Sequence, residues 1–140
     1  MKSLAYNLLG NIPDSEDAVQ EAFLKACRGA QKFTGQSSLA TWMYRILVNT
    51  CHDLGRSRRR RAETAAADPA QSAGADIPLK VALERSLGLL SDRQRSVFLM
   101  FEAEGFRHAE IAAVLEIPEA TSRTILFEAR RELQRMLRRD

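Results

Sequence analysis

The chain has 140 residues, of which 45% are hydrophobic and 28% charged, with only seven Gly, four Pro and two Cys. That composition excludes collagen-like, low-complexity and disulfide-framed chains, and it bounds the fold at one medium domain or two small ones. Sparse Gly and Pro, few β-branched residues and an excess of Ala, Leu, Arg and Glu favour an all-α protein. The net charge of +3 conceals a segregated pattern. Residues 1–23 set Lys2 against Asp14, Glu16, Asp17 and Glu21, whereas residues 24–61 hold nine Lys or Arg against Asp53 alone. An acidic start followed by a basic block implies two different partners on one domain.

The opening run MKSLAYNLLGN is too short and too interrupted, at Asn7, to be a signal peptide, and no stretch approaches the roughly 18 apolar residues of a membrane span. A reduced, cytoplasmic protein with no membrane segment of its own is expected. Val19, Ala22, Phe23, Ala26 and Cys27 recur at i, i+3, i+4, i+7 and i+8, the inward face of an amphipathic helix. Asp14 after Pro13 is its expected N-cap, and Glu16 and Asp17 suit the helix dipole. Residues 33–37 form a loop. A second helix is expected from Ser38 to Leu54, with Leu39, Trp42, Met43, Ile46, Leu47 and Thr50 inward. Residues 62–78 contain two prolines, a glycine and almost no large apolar side chain, which describes a flexible linker. The expected organisation is therefore two small helical domains, 1–61 and 79–140, joined by 62–78.

In the second domain Leu79, Leu83, Leu87 and Leu90 mark one helix. Ser91-Asp92-Arg93-Gln94 is a capping box that opens another, with Val97, Phe98 and Phe101 inward and Gly105 as its stop. Ile111, Ala112 and Leu115, the turn Glu116-Ile117-Pro118, and then Leu126, Ala129, Leu133 and Leu137 describe a helix-turn-helix. In such motifs the second helix enters the major groove and its outward side chains read base edges.

Phe33–Arg61 joins aromatic rings, hydroxyls, Asn49 and a basic series made of Lys25, Arg28, Lys32, Arg45, Arg56 and Arg58 to Arg61. Binding of single-stranded DNA needs that mixture of phosphate-facing charge, stacking faces and polar groups for an extruded base. Core packing is the plainer role for Trp42. The two cysteines and two histidines lack metal-ligand spacing, so neither a metal nor a cofactor is expected. No nucleophile–base pair, carboxylate cluster or glycine-rich phosphate loop is present, so the chain is not expected to be an enzyme.

Taken together, Asp14–Phe23 (DSEDAVQEAF), Phe33–Thr50 (FTGQSSLATWMYRILVNT), Arg93–Phe98, Glu110-Ile111-Ala112, Ile117-Pro118-Glu119 and Ala129-Arg130 resemble a bacterial sigma factor of the extracytoplasmic-function type. This is the small two-domain branch of the sigma-70 family. The resemblance implies a factor that binds core RNA polymerase and directs it to promoter DNA. It implies that Asp17, Gln20 and Glu21 dock on the β′ clamp helices. Lys25, Phe33, Ser37, Tyr44, Arg45 and Asn49 would contact the −10 strand, and the Phe33–Leu39 loop would hold a flipped base. The second domain would bind the β flap and read the −35 element through Thr121, Arg123, Thr124, Phe127 and Glu128. Elements spaced by some 17 base pairs lie about 60 Å apart at 3.4 Å per pair. An anti-sigma factor is a further expected partner.

The chain departs from the family pattern in three ways. Most of the first helix of the −10-binding domain has no counterpart, so that domain is expected to be shortened. Ser122, Ile125 and Glu128 stand where the family usually has a valine, an arginine and another basic residue, which implies lost phosphate contacts at Ile125 and Glu128. Ala120 replaces a glycine of the turn. These departures leave open a sigma-like decoy that holds an anti-sigma factor or polymerase without reading a promoter. An ordinary helix-turn-helix repressor gives the Phe33–Asn49 block no purpose.

Overall fold

The computed structural model describes residues 1–64 and 78–138. In chain order it forms α1 (Lys2–Leu9), α2 (Ile12–Arg28), a 3₁₀ turn (Ala30–Lys32), α3 (Leu39–Thr64), α4 (Leu79–Leu89), α5 (Asp92–Phe98) continued by a π-helical turn (Leu99–Ala103), α6 (His108–Leu115) and α7 (Glu119–Arg138). The all-α expectation holds among the described residues. Of the expected linker, residues 65–77 lie outside the described residues, while its first three, 62–64, complete α3.

The boundaries follow local chemistry. Gly10 ends α1 in the left-handed conformation (φ 82°), a backbone state open to glycine, and its N–H returns to the Tyr6 carbonyl at 2.7 Å. The N-cap of α2 is Asn11 rather than the expected Asp14: Asn11 Oδ1 accepts the Asp14 N–H at 2.9 Å. Pro13 lies inside the first turn, where a missing N–H costs nothing, so the cap falls upstream of it. Ser38 caps α3, its Oγ accepting the Thr41 N–H at 3.0 Å. That helix runs ten residues beyond the expected Leu54, because arginine is a good helix former and the single Gly55 is not enough to break it. The Ser91–Gln94 capping box forms reciprocally as expected, and Gly105 stops the following segment at φ 75°.

Burial separates the expected inward positions. Ala18, Val19, Ala22 and Ala26 of α2 are buried, but Phe23 is half exposed and Cys27 is exposed. Leu79 is 75% exposed, and α4 buries Ala82 and Ser86 instead. Leu4, Ala5, Leu47, Val48 and Cys51 from the first half join Val97, Met100, Ile111, Val114, Ile125 and Leu126 from the second in one continuous apolar cluster. Each fully buried Leu or Ile contributes about 1.5–3 kcal/mol relative to exposure, and the alanines let the backbones approach. The two helical domains thus pack directly against each other. Buried Arg95 ties α4 to α5, donating to the Leu87 and Leu90 carbonyls at 2.9 Å each and to Asp92 Oδ1 at 3.1 Å. A cation set on the end of α4 satisfies carbonyls that the helix itself leaves open.

Candidate nucleic-acid interface

Three surfaces carry the expected contact residues. On α2, Asp17 and Gln20 are exposed and Glu21 is half-buried, away from the buried face of Ser15, Ala18, Val19 and Ala22. The helix therefore presents its acids outward and its alanines inward.

The second surface centres on the start of α3. Phe33 leans on Trp42 with ring centroids 5.1 Å apart and planes inclined by 42°, both rings partly accessible. Gly35, at φ 79°, turns the loop between them. Ser37 is half-buried and Asn49 exposed. Lys25 reaches across from α2 and donates to Thr50 Oγ1 at 3.2 Å. Tyr44 and Arg45 point toward the second half. Tyr44 meets Phe106 edge to face, with centroids 5.1 Å apart. Arg45 donates to the Ala113 carbonyl at 2.6 Å and the Val114 carbonyl at 3.4 Å, and lies 3.6 Å from the Glu116 carboxylate. The basic series is also more occupied than its composition implies. Arg58 pairs with Asp14, Arg59 with Asp92 at 3.1 Å, and Arg56 with Asp53 at 2.7 Å and Asp92 at 3.5 Å. Burial raises the Asp92 carboxyl, but hydrogen bonds from Arg59 and Arg95 outweigh it and hold the group below the usual carboxylate range.

The third surface is α7. The turn before it carries Glu116 in the left-handed conformation (φ 59°), and Glu110 opens α6 by accepting the Arg107 N–H at 2.8 Å, which lowers its pKa. Arg123, Thr124, Phe127 and Glu128 are exposed and Thr121 is half-buried. Thr124 Oγ1 donates to the Ala120 carbonyl at 3.1 Å, Arg123 pairs with Glu119 at 2.6 Å, and Arg131 lies 5.8 Å over the Phe127 ring. Ser122 and Ile125 are on the opposite side, 0% and 7% exposed. The expectation that Ile125 marks a lost phosphate contact is therefore corrected: spacing along the helix turns that side chain into the core. Ser122 Oγ lies 2.9 Å from His108 Nδ1, and His108 stacks on Phe101 with centroids 4.6 Å apart.

Three features escaped sequence reasoning: the His108–Ser122 tie, the buried Val114, and the capping of α6 by Arg45. The first and last join residues 14 and 68 positions apart, where neither periodicity nor spacing carries a signal.

The arrangement of a loop-fed basic helix and a helix-turn-helix has counterparts in known proteins. Residues 1–61 match the family model for sigma-70 region 2, and residues 80–133 match that for sigma-70 region 4. The chain is 32% identical over 138 residues to the ECF RNA polymerase sigma-E factor of Escherichia coli strain K12, an alignment covering 86% of this chain and 71% of that one. It belongs to the extracytoplasmic-function branch of the sigma-70 family. Another member, the ECF RNA polymerase sigma factor SigM of Mycobacterium tuberculosis H37Rv, is 33% identical over 128 residues, covering 89% of this chain and 64% of SigM. The chain thus spans about two thirds of the length of these family members. Among solved structures, the sigma factor RpoE in complex with the anti-sigma factor NepR from Bartonella quintana superposes with a TM-score of 0.68 at 26% identity, covering 99% of this chain and 90% of that one. CnrH in complex with the cytosolic domain of CnrY gives a TM-score of 0.72 at 26% identity, covering 99% and 80%.

Proposed function

We propose that this sigma-70 family chain is an initiation factor that binds core RNA polymerase, directs it to a promoter and helps to open the −10 region. The observation that carries this reading is the match of residues 1–61 and 80–133 to sigma-70 regions 2 and 4, with the acidic face of α2 and the Arg123–Glu128 face of α7 turned outward. The acidic face of α2, with Asp17, Gln20 and Glu21, is assigned to polymerase. Lys25, Phe33, Ser37, Tyr44, Arg45 and Asn49 are assigned to the −10 strand, where rings stack on bases and cations meet phosphates. Thr121, Arg123, Thr124, Phe127 and Glu128 are assigned to the −35 element, on the groove-facing side of α7. The two functional domains are assigned to residues 1–61 and 79–140, joined by the linker 62–78. An anti-sigma factor is a further proposed partner, supported by the two solved relatives captured with such proteins. No helix among the described residues is long and apolar enough to cross a membrane, and a cytoplasmic site of action fits this reading.

Run-off transcription tests the proposal. Purified chain added to bacterial core polymerase on a genomic-fragment template pool should give discrete promoter-dependent products; products no different from core alone would overturn it. One observation favours a second reading, a decoy that binds polymerase or an anti-sigma factor but reads no promoter. Between Glu119 and Glu128 the only cation is Arg123, already paired with Glu119, which is a poorly charged face for duplex DNA. A decoy keeps polymerase binding and lacks sequence-selective DNA binding, so measuring the two separately distinguishes the readings.

A further inference from the structure

We infer that Glu128 selects cytosine in the upstream promoter element, its carboxylate accepting from the exocyclic amino group of that base in the major groove. The inference rests on the assignment of the outward face of α7 to duplex DNA.

Glu128 is an acid that the fold does not use. The other two acids of α7 are neutralised along the helix, Glu119 by Arg123 at 2.6 Å and Glu132 by Arg135. Glu128 has neither an ion pair nor a hydrogen bond among the described residues. The two cations nearest to it in sequence are turned elsewhere: Arg131 lies 5.8 Å over the Phe127 ring, and Arg130 pairs with Glu102 at 2.7 Å. Nor does the helix dipole favour an acid here, because that effect fades after the first turn and α7 begins at Glu119. A free carboxylate turned to a polyanion weakens binding to every sequence, unless a base offers it a donor.

The geometry supplies the donor's direction. Ser122, Ile125, Leu126, Ala129 and Leu133 fix the inward side of α7, so Arg123, Thr124, Phe127 and Glu128 form one outward stripe. Glu128 follows Thr124 by four residues, about 6 Å of helical rise, which keeps it over the same groove one turn further along. A carboxylate only accepts, whereas guanine O6 and N7 and thymine O4 are acceptors too, so those bases meet it acceptor to acceptor. Two bases present an amino donor in the major groove. The adenine N6 amino group sits between adenine N7 and the thymine O4 of its partner, and both repel a second carboxylate oxygen. The cytosine N4 amino group borders the apolar C5 edge on one side, which leaves the carboxylate room. Phe127, 60% exposed beside Glu128, offers an apolar face suited to such a pyrimidine edge. Selection therefore works as much by rejecting three bases as by binding the fourth.

The test loads the full chain onto bacterial core polymerase and selects from a random duplex pool long enough to hold both elements. The parent should enrich cytosine at one position of the upstream element by about tenfold or more over each other base, the scale of one good base contact. Glu128→Gln should move that position to adenine, because a carboxamide both accepts from N6 and donates to N7. Glu128→Ala should erase the preference there, and both variants should leave the rest of the motif unchanged. Exposure of Glu128 keeps their melting temperatures near the parent's. A parent motif that both variants reproduce at every position overturns the role of Glu128 and leaves the promoter reading standing. A parent pool with no enriched motif overturns both.

Discussion

The His52 ring hands its Nε2–H to Ser96 Oγ, 2.6 Å away across the junction of the two halves, because the serine hydroxyl is itself committed to the Asp92 carbonyl at 2.8 Å. One hydroxyl has one proton to donate, which makes the imidazole the donor. Burial lowers the pKa of His52 from its ordinary value near 6.5; Asp92 and Asp53 oppose that shift, and Arg56 and Arg95 reinforce it. The neutral ring is thus favoured in the folded chain, and unfolding favours proton uptake. A depressed histidine contributes stability that is fully present above the unfolded pKa and is lost as pH falls below about 6.5. Asp92, also held low, loses its contribution only at more acidic pH, below the ordinary carboxylate range. The melting temperature should therefore fall as the pH is lowered from 7.5 to 5.5, and His52→Gln should flatten that dependence. Equal slopes for parent and His52→Gln in thermal melts across this range would exclude His52 as the source.

How far the sequence carries depends on the range of each interaction. Helices were legible because their signals are local: the Ser91–Gln94 box spans four residues, and the alanine face of α2 repeats every turn. The outward positions of α7, Arg123, Thr124, Phe127 and Glu128, follow from the same period. Ile125 was misread because a family position was carried over as a charge without asking which way that turn faces. The end of α3 was misplaced because an arginine run is equally at home in a helix or beyond one. The packing of one half on the other was not legible at all. It depends on contacts such as Ser3 with Glu104, 101 positions apart, and the linker composition between them favours separation as readily as contact.

Two neighbouring positions on α7 should respond in opposite ways to the same residue. Ile125 is 7% exposed among Val97, Met100 and Ile111, so Ile125→Arg buries an unpaired charge and should cost about 3–5 kcal/mol. Glu128 is exposed. Glu128→Arg should leave the melting temperature within a few degrees of the parent, tighten duplex DNA binding and steepen the salt dependence by about one unit. Chemical denaturation and binding titrations at several salt concentrations check both. Tighter DNA binding by a stably folded Ile125→Arg would contradict the burial argument.

The acidic face of α2 should separate binding from stability. Asp17 and Gln20 are exposed, and surface substitutions away from packed groups usually change stability by no more than about 0.5 kcal/mol. Asp17→Arg/Glu21→Arg should therefore retain the parent's denaturation midpoint. Because like-charge juxtaposition at an interface costs several kcal/mol, the same variant should lose core-polymerase affinity by at least about tenfold. Titration of labelled chain with core polymerase measures it, and affinity equal to the parent would move the polymerase contact away from this face.

The His108–Ser122 pair should act as a tie between the first helix of the helix-turn-helix and its recognition helix. Ser122 is fully buried and its hydroxyl lies 2.9 Å from His108 Nδ1, while Phe101 stacks on the same ring. Ser122→Ala leaves that nitrogen facing a methyl group, which should cost about 1–2 kcal/mol, the scale of a buried polar group deprived of its partner. His108→Phe keeps a ring against Phe101 and removes the nitrogen. If the two residues act through one hydrogen bond, the double variant should lose less than the single losses added together, with a coupling of about 1 kcal/mol in denaturant titrations. Additive losses would mean that the contact stabilises nothing beyond its separate packing. Duplex DNA affinity provides an independent check: since neither residue lies on the exposed reading face, Ser122→Ala should weaken binding to every sequence in similar proportion and leave base preference unchanged.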